Sequence, residues 1–255
     1  MNIVQNIKPV KKTKSIKFGS LIIYPIGFVK IWNSPFPLPL TIGYSVLYLP
    51  IFLFLCLFLF ALACAALLPP LDLTVGPRTD RTLYNPGGNY SVTFIKTGAE
   101  THGSYEAIQV DLEPLGGNGW HYHKTFDEMF TVMDGRIEIG LEGEKTILTK
   151  GESVTASKNK MHYFKNPDNS PSVLLVKTMP ARGLEKTLRI AYGLDNDGLM
   201  KEGLPLNPWH TALLMGYSES YFSGIPSIIQ EPLANGFSRL AQALGKDKEL
   251  EKYYR

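Results

Sequence analysis

Cysteine is nearly missing from this chain: of 255 residues only Cys56 and Cys64 are cysteines, and both lie inside an apolar stretch. Elsewhere no thiol is available, which excludes disulfide staples, thiolate metal sites and a cysteine nucleophile. Acidic side chains are absent from residues 1–71, and from 31 to 71 there is no charge of either sign. Six lysines, Lys8, Lys11, Lys12, Lys14, Lys17 and Lys30, precede that uncharged run. The formal net charge of +3, from 26 Lys plus Arg against 23 Asp plus Glu, therefore leaves residues 72–255 at −3. A mildly acidic folded part argues against a nucleic-acid partner. No internal repeat or low-complexity tract is visible. Gly116-Gly117-Asn118-Gly119 is not a phosphate loop, because no GK[ST] follows it. What is abundant is apolar and aromatic content, 44% and 11%, too high for a disordered chain.

Residues 44–68, YSVLYLPIFLFLCLFLFALACAALL, form an apolar run of 25 residues. As a helix it would extend about 37 Å, against a hydrocarbon core of about 30 Å. A transmembrane helix is expected, with Pro50 tolerated near its start and Pro69-Pro70 ending it. All six lysines precede it, so the positive-inside rule keeps the N-terminus in the cytoplasm and exports residues 72–255, as a single-pass protein. The rival reading is a cleaved signal peptide, since Ala61-Leu62-Ala63 fits a small-x-small cut; the remainder would then be secreted or periplasmic. The apolar run at 18–29 is too short to span and is expected at the interface or unordered, within a basic leader of residues 1–43.

Residues 69–89 are turn-rich and read as a linker ending in Pro86-Gly87-Gly88-Asn89. Nine short segments rich in β-branched and aromatic residues come next, at 90–96, 104–112, 120–123, 128–133, 136–141, 145–148, 153–156, 162–165 and 172–179. Gly, Asn, Asp or Pro punctuates most of the gaps, so residues 90–180 are expected to form an all-β sandwich or barrel. Asp134-Gly135 signals a two-residue hairpin and Glu142-Gly143 another tight turn. Residues 181–255 change character and read as largely helical. Asn207-Pro208 supplies an N-cap followed by Pro at the first helical position. A second helix is expected from Pro226 or Pro232 to Leu244, with Ile229, Leu233, Phe237, Leu240 and Leu244 at helical spacing and Gly245 at its end. That stripe could cover the barrel, pack across a dimer or lie on a membrane; its own core is the default.

Only five histidines occur, and His121, His123 and His162 cluster with Glu128. In a strand, positions i and i+2 project to one side, so His121 and His123 share a face while Tyr122 points away. If residues 124–127 turn the chain, Glu128 begins the next strand and can share the interior with both imidazoles, followed by Phe130 and Val132. His162 comes from a later strand, with Phe164 on its face. Three neutral imidazoles and a carboxylate make a poor apolar core, and a divalent cation is the simplest compensation for burying them. Such donors suit Fe(II), Mn(II), Zn(II), Ni(II) or Cu(II). By contrast His102 reads as an exposed turn residue, and His210 as a surface or packing residue without a ligand-spaced partner. Phe130, Val132, Met133 and Phe164 read as core, and Trp120 and Tyr163 as candidates for a pocket rim.

The spacing resembles the cupin superfamily. Its first motif, Gly, five residues, His-x-His, three or four residues, Glu, six residues, Gly, is matched by GGNGWHYHKTFDEMFTVMDG, with His121, His123, Glu128 and Gly135 in place. The leading Gly departs, standing at Gly116, four residues before His121. The second motif, Gly, five residues, Pro-x-Gly, two residues, His, three residues, Asn, is matched by GESVTASKNKMHYFKN, with Gly151, His162 and Asn166 in place and Ser157 and Asn159 replacing Pro and Gly. The resemblance covers residues 116–166 in a single copy. It implies a mainly β fold, a small cupin barrel of the jelly-roll or double-stranded β-helix type, here with the N-terminal transmembrane helix and C-terminal helical region.

The resemblance further implies one divalent metal, Fe or Mn favoured, held by His121, His123, Glu128 and His162, and a small-molecule substrate or ligand. It is compatible with two functions. One is a membrane-anchored, Fe- or Mn-dependent dioxygenase-like oxidoreductase or a metal-assisted isomerase, with Glu128 doubling as catalytic base. The other is a non-catalytic cupin that binds or senses a small ligand or metal. A homodimer paired through the sheets is expected by resemblance alone.

Overall fold

The structure, a computed structural model, describes residues 38–255, with side chains from Tyr48 onward. The expected leader up to residue 37, with its apolar run at 18–29, lies outside the described residues. The first element is the helix α1, Leu38–Leu67. It begins six residues before the expected span and ends just short of Pro69-Pro70, where two missing N–H donors stop a helix. Its stretch Tyr48–Leu67 is long and apolar enough to cross a membrane, with mean hydropathy 2.7 and Leu53, Leu55, Leu57, Leu59 and Phe60 all exposed. Residues Phe54–Arg255 form one compact unit, so the second half of α1 belongs to the unit that holds the sheets.

Thirteen strands come after it among the described residues: β1 Thr82–Asn85, β2 Tyr90–Lys96, β3 Glu106–Leu112, β4 His121–His123, β5 Asp127–Asp134, β6 Arg136–Leu141, β7 Glu144–Thr149, β8 Ser153–Ala156, β9 His162–Lys165, β10 Ser172–Met179, β11 Met200–Lys201, β12 Leu204–Pro205 and β13 Ser220–Phe222. Ten of them form two antiparallel sheets, ordered β1-β2-β3-β10-β5-β8 and β4-β9-β6-β7, and β13 adds an edge strand beside β4. All nine expected strands form. Their alternation is the cause: β5 and β10 bury every second residue, and Phe130, Val132, Leu174 and Val176 of the first sheet meet Ile137, Ile139 and Phe164 of the second.

Three expectations need correction. The sheets face one another as a sandwich, and no hydrogen-bonded ladder closes them into a barrel among the described residues. Asp134-Gly135 is not a hairpin: β5 pairs with β8 and β10 while β6 pairs with β7 and β9, so the chain crosses between sheets there. It crosses back at Gly151. Both glycines have positive φ, 73° and 90°, a backbone that a side chain would strain. Glu142-Gly143 does join paired strands, β6 and β7, with both residues at positive φ as the hairpin turn demands. Finally, the expected linker 69–89 contains β1, and its Leu71, Leu73 and Val75 pack into the helical core.

The remaining helices are α2 Leu184–Asn196, α3 Pro208–Ser218, α4 Ser227–Ala243 and the short α5 Glu251–Tyr254. Asn207 caps α3, its side chain accepting from the Trp209 N–H. Helix α2, not expected individually, has two apolar faces. Leu184, Leu188 and Tyr192 pack against the sheet core, and Ile190 and Leu194 against Leu213, Tyr217 and Ala241.

Asn166 ties the end of β9 to the rest. Its Nδ2 donates to the carbonyls of Glu113 (3.1 Å) and Ser170 (2.8 Å), and its Oδ1 accepts from the Asp168 N–H (3.0 Å). Asn166→Ala removes these three part-buried hydrogen bonds together and should cost about 1–3 kcal/mol. Thermal unfolding reads this; an unchanged midpoint would contradict the assignment.

Candidate metal centre

His121 and His123 project from one face of β4, and His162 stands directly opposite His121 on β9. Glu128 reaches the same point from β5 in the facing sheet. Ring centroids lie 4.9 Å (His121 to His123), 4.4 Å (His121 to His162) and 5.3 Å (His123 to His162) apart. One donor atom from each of the four residues lies within 4.8 Å of the others. His123, Glu128 and His162 are buried and His121 is half-buried.

Each imidazole is held by its other nitrogen. His121 Nδ1 is 2.8 Å from the Gly119 carbonyl, His162 Nδ1 is 2.8 Å from the Lys160 carbonyl, and His123 Nδ1 is 3.2 Å from the Ser218 carbonyl and 3.1 Å from Ser220 Oγ. A carbonyl can only accept, so each Nδ1 carries a proton and each Nε2 has its lone pair free when the ring is neutral. Yet Glu128 Oε2 lies 2.8 Å from His162 Nε2 and 3.4 Å from His123 Nε2. Lone pairs against a carboxylate repel unless a proton or cation lies between them.

These distances govern the titration. Desolvation, with the His123 and His162 rings beside it, pushes His121 down to about 3, so it is neutral near pH 7. Burial opposes a charged His162, but the Glu128 carboxylate outweighs burial and raises its pKa. Burial would raise the Glu128 pKa, but hydrogen bonds from His123 and His162 hold it well below the usual carboxylate range. A divalent cation fits this set: three oriented Nε2 atoms and a carboxylate oxygen, with Nδ1–H···O=C bonds fixing the rings, are the arrangement seen around bound metals. The donors suit Fe(II), Mn(II), Zn(II), Ni(II) and Cu(II) alike.

A cavity of about 110 Å³ opens beside the group. His121, His123 and Glu128 form one part of its lining, Val92, Val110 and Phe164 its apolar walls, and Leu184, Thr187, Leu188 and Tyr192 of α2 another side. No Lys or Arg lines it. Thr187 Oγ1 is buried without a hydrogen-bond partner.

Other expected residues fall elsewhere. Trp120 and Tyr163 pack edge to face at 4.6 Å and do not line this cavity, which corrects the rim expectation; Tyr163 OH donates to Glu138. Phe130, Val132 and Phe164 are core, whereas Met133 is 46% exposed because β5 leaves the core at its last two residues. His102 is an exposed turn residue. His210 is buried, 3.1 Å from a Glu249 carboxylate oxygen. Sequence reasoning missed Ser218, Ser220 and the α2 residues. The latter carried a readable signal in Leu184, Leu188 and Tyr192 at i, i+4 and i+8; the serines carried none.

Two facing antiparallel sheets holding three histidines and a glutamate at one point define a β-sandwich with a candidate metal site. Residues 108–177 match the Cupin_2 family model, described as a cupin domain, and this segment belongs to the cupin superfamily. A curated protein of Aquifex aeolicus (strain VF5), described as uncharacterized, is 36% identical over 70 residues, 28% of this chain and 57% of that protein. The chain thus spans little more than half the length of that relative. Among solved structures, KdgF from a Halomonas species aligns over 39% of this chain and 86% of its own, with 21% identity and a TM-score of 0.36. An RmlC-like cupin from Shewanella frigidimarina NCIMB 400 aligns over 43% and 90%, with 18% identity and a TM-score of 0.35.

In the metal-free protein the Glu128–His162 pair sets a pH window. A depressed Glu128 pKa gives stability present above the unfolded value of about 4.3 and lost as pH falls below it. A raised His162 pKa gives stability fully present below about 6.5 and lost as pH rises through the folded value. Chelator-treated protein should therefore gain most from this pair between those limits, and His162→Ala should remove that gain. Melting curves against pH check this; the same pH profile in both proteins would contradict it.

Proposed function

We propose that this protein is a membrane-anchored, metal-binding cupin, an Fe- or Mn-dependent dioxygenase-like oxidoreductase acting on a small organic substrate. On this reading the two sheets are the faces of a cupin jelly-roll. The observation that carries the proposal is the four-donor group bordering a small, largely apolar cavity. His121, His123, Glu128 and His162 would hold the ion. When bound, Fe or Mn supplies Lewis acidity and redox chemistry toward O₂. The chain's own residues do the rest. Val92, Val110 and Phe164 limit water and select an apolar substrate body. Thr187 Oγ1 offers a free polar atom to a substrate hydroxyl or carbonyl. Glu128 would accept a proton at Oε2 if it detached during turnover. With no Lys or Arg in the lining, a substrate charge would have only the metal to pair with.

The uncharged helix and the lysines before it support a single-pass membrane protein with the N-terminus cytoplasmic and the cupin domain exported. A homodimer through the sheets belongs to the same proposal. The second reading, a cupin that senses a ligand or metal without turnover, is favoured by one observation. His123 is held by Ser218, at the end of α3, and by Ser220 of β13, and α3 packs on α4.

Elemental analysis of the full chain, purified in detergent without added metal, should find one Fe or Mn per chain. With a panel of diols, flavonols and keto acids it should consume O₂. Glu128→Gln should lower turnover by about 10²-fold or more while ligand binding survives. Metal and ligand binding without O₂ uptake or product would establish the sensing reading. Loss of ligand binding together with chemistry in Glu128→Gln would indicate a structural metal.

A further inference from the structure

The soluble part does not hang from α1 on a free tether. Arg239 Nη1 donates to the carbonyls of Ala65 (2.8 Å) and Leu68 (3.1 Å), two of the acceptors that a helix end leaves without partners. A Cβ on Gly236 would fall 2.1 Å from the Ala61 carbonyl oxygen, so α4 and α1 meet backbone to backbone. The rings of Phe60 and Phe237 lie 6.5 Å apart. Beyond the helix, Gln242 accepts from the Asp72 N–H (2.8 Å) and donates to the Pro70 carbonyl (3.2 Å), and buried Lys186 donates to the Asp72 carbonyl (2.6 Å).

These contacts also give a direction. Residues 60 and 61 meet 237 and 236, residues 65 and 68 meet 239, and residues 70 and 72 meet 242, so from their crossing at Gly236 both chains advance toward Pro70. The start of α4 therefore lies on the apolar-helix side of that crossing, with Ile228 about 12 Å from Gly236 at 1.5 Å per residue. That end is apolar and uncovered: Phe222 is 42%, Ile225 50% and Ile228 75% exposed. The stripe Ile229, Leu233, Phe237 and Leu240 is only half-buried, and Leu244 is exposed. The buried face of α4 is instead its small and polar one, Gln230, Ala234, Gly236, Ser238 and Ala241.

From Tyr221 to Leu244 only Glu231 and Arg239 are charged. Both are engaged within the protein, Glu231 with Lys124 Nζ at 2.9 Å and Tyr122 OH at 3.0 Å, and Arg239 with the α1 carbonyls. Charge already paired inside the protein removes a main obstacle to burying this segment in lipid.

We propose that Phe222, Ile225, Ile228 and the apolar stripe of α4 enter the lipid layer beside α1, so that the cupin domain is seated on the bilayer and partly in it. This rests on the reading of α1 as a membrane helix. The occupant is lipid because the uncovered face continues, without intervening unpaired charge, the exposed apolar surface of α1.

Phe222→Trp, Ile225→Trp and Ile228→Trp, one at a time in the full-length chain, provide the test. Each protein is reconstituted into phosphatidylcholine vesicles with plain or brominated acyl chains, after circular dichroism has shown native folding. The added indole should be quenched by brominated lipid about twofold more than the chain's own three tryptophans, which give the baseline. No added quenching in chains that resist carbonate extraction would overturn this inference and leave the membrane helix standing. Extraction of the chain by carbonate would overturn both. Shielded indoles that respond to protein density and not to bromine would assign the face to a second copy, also overturning it.

Discussion

Three backbone carbonyls, those of Gly119, Lys160 and Ser218, decide what the interior of this protein can do. Each fixes one imidazole through Nδ1, and the Nε2 atoms of His123 and His162 face the Glu128 carboxylate. Four polar groups brought together in an otherwise apolar core would be a liability without a proton or cation among them. The chain pairs them across two sheets: β4 and β9 supply the histidines, and β5 supplies the glutamate from the opposite face. Sheet packing and the candidate metal site are therefore one construction, since any slip of β5 by one residue would turn Glu128 outward.

The third of those carbonyls comes from outside the matched cupin segment. Ser218 ends α3, and β13 then extends the sheet beside β4, pairing Ser220 with His123 and Phe222 with His121. The C-terminal region thus completes the centre, and α2 closes one side of the cavity. The same region takes hold of α1 through α4. An apolar helix at one end is thereby joined, through a continuous set of packed elements, to His123.

Much of this was legible in the sequence. Alternating β-branched and aromatic residues located nine strands, and the i, i+2 pair His121 and His123 with Glu128 and His162 gave the site, because short-range periodicity encodes which face a side chain takes. The Asn207-Pro208 cap marked α3 for the same local reason. Long-range pairing could not be read in that way. Asp134-Gly135 looks like a hairpin from its residues, and only the partners of β5 and β6 reveal a crossing between sheets. Residues 69–89 look like a linker by turn content, yet Leu71, Leu73 and Val75 find a core that the C-terminal helices build. In α4 the apolar spacing pointed to Ile229, Leu233, Phe237 and Leu240 as the packed face, while the close approach at Gly236 puts the small residues there. Asn159, where the second motif has glycine, takes φ of 63°, which asparagine tolerates better than most residues.

The central claim is that all three imidazoles and Glu128 meet one cation. X-ray absorption at the edge of whatever metal the purified chain carries tests it most directly. The account predicts outer-shell scattering from three imidazoles with a light-atom first shell, falling to two imidazoles in His162→Ala. A bound metal whose spectrum lacks imidazole scattering, or does not change on that substitution, would contradict it.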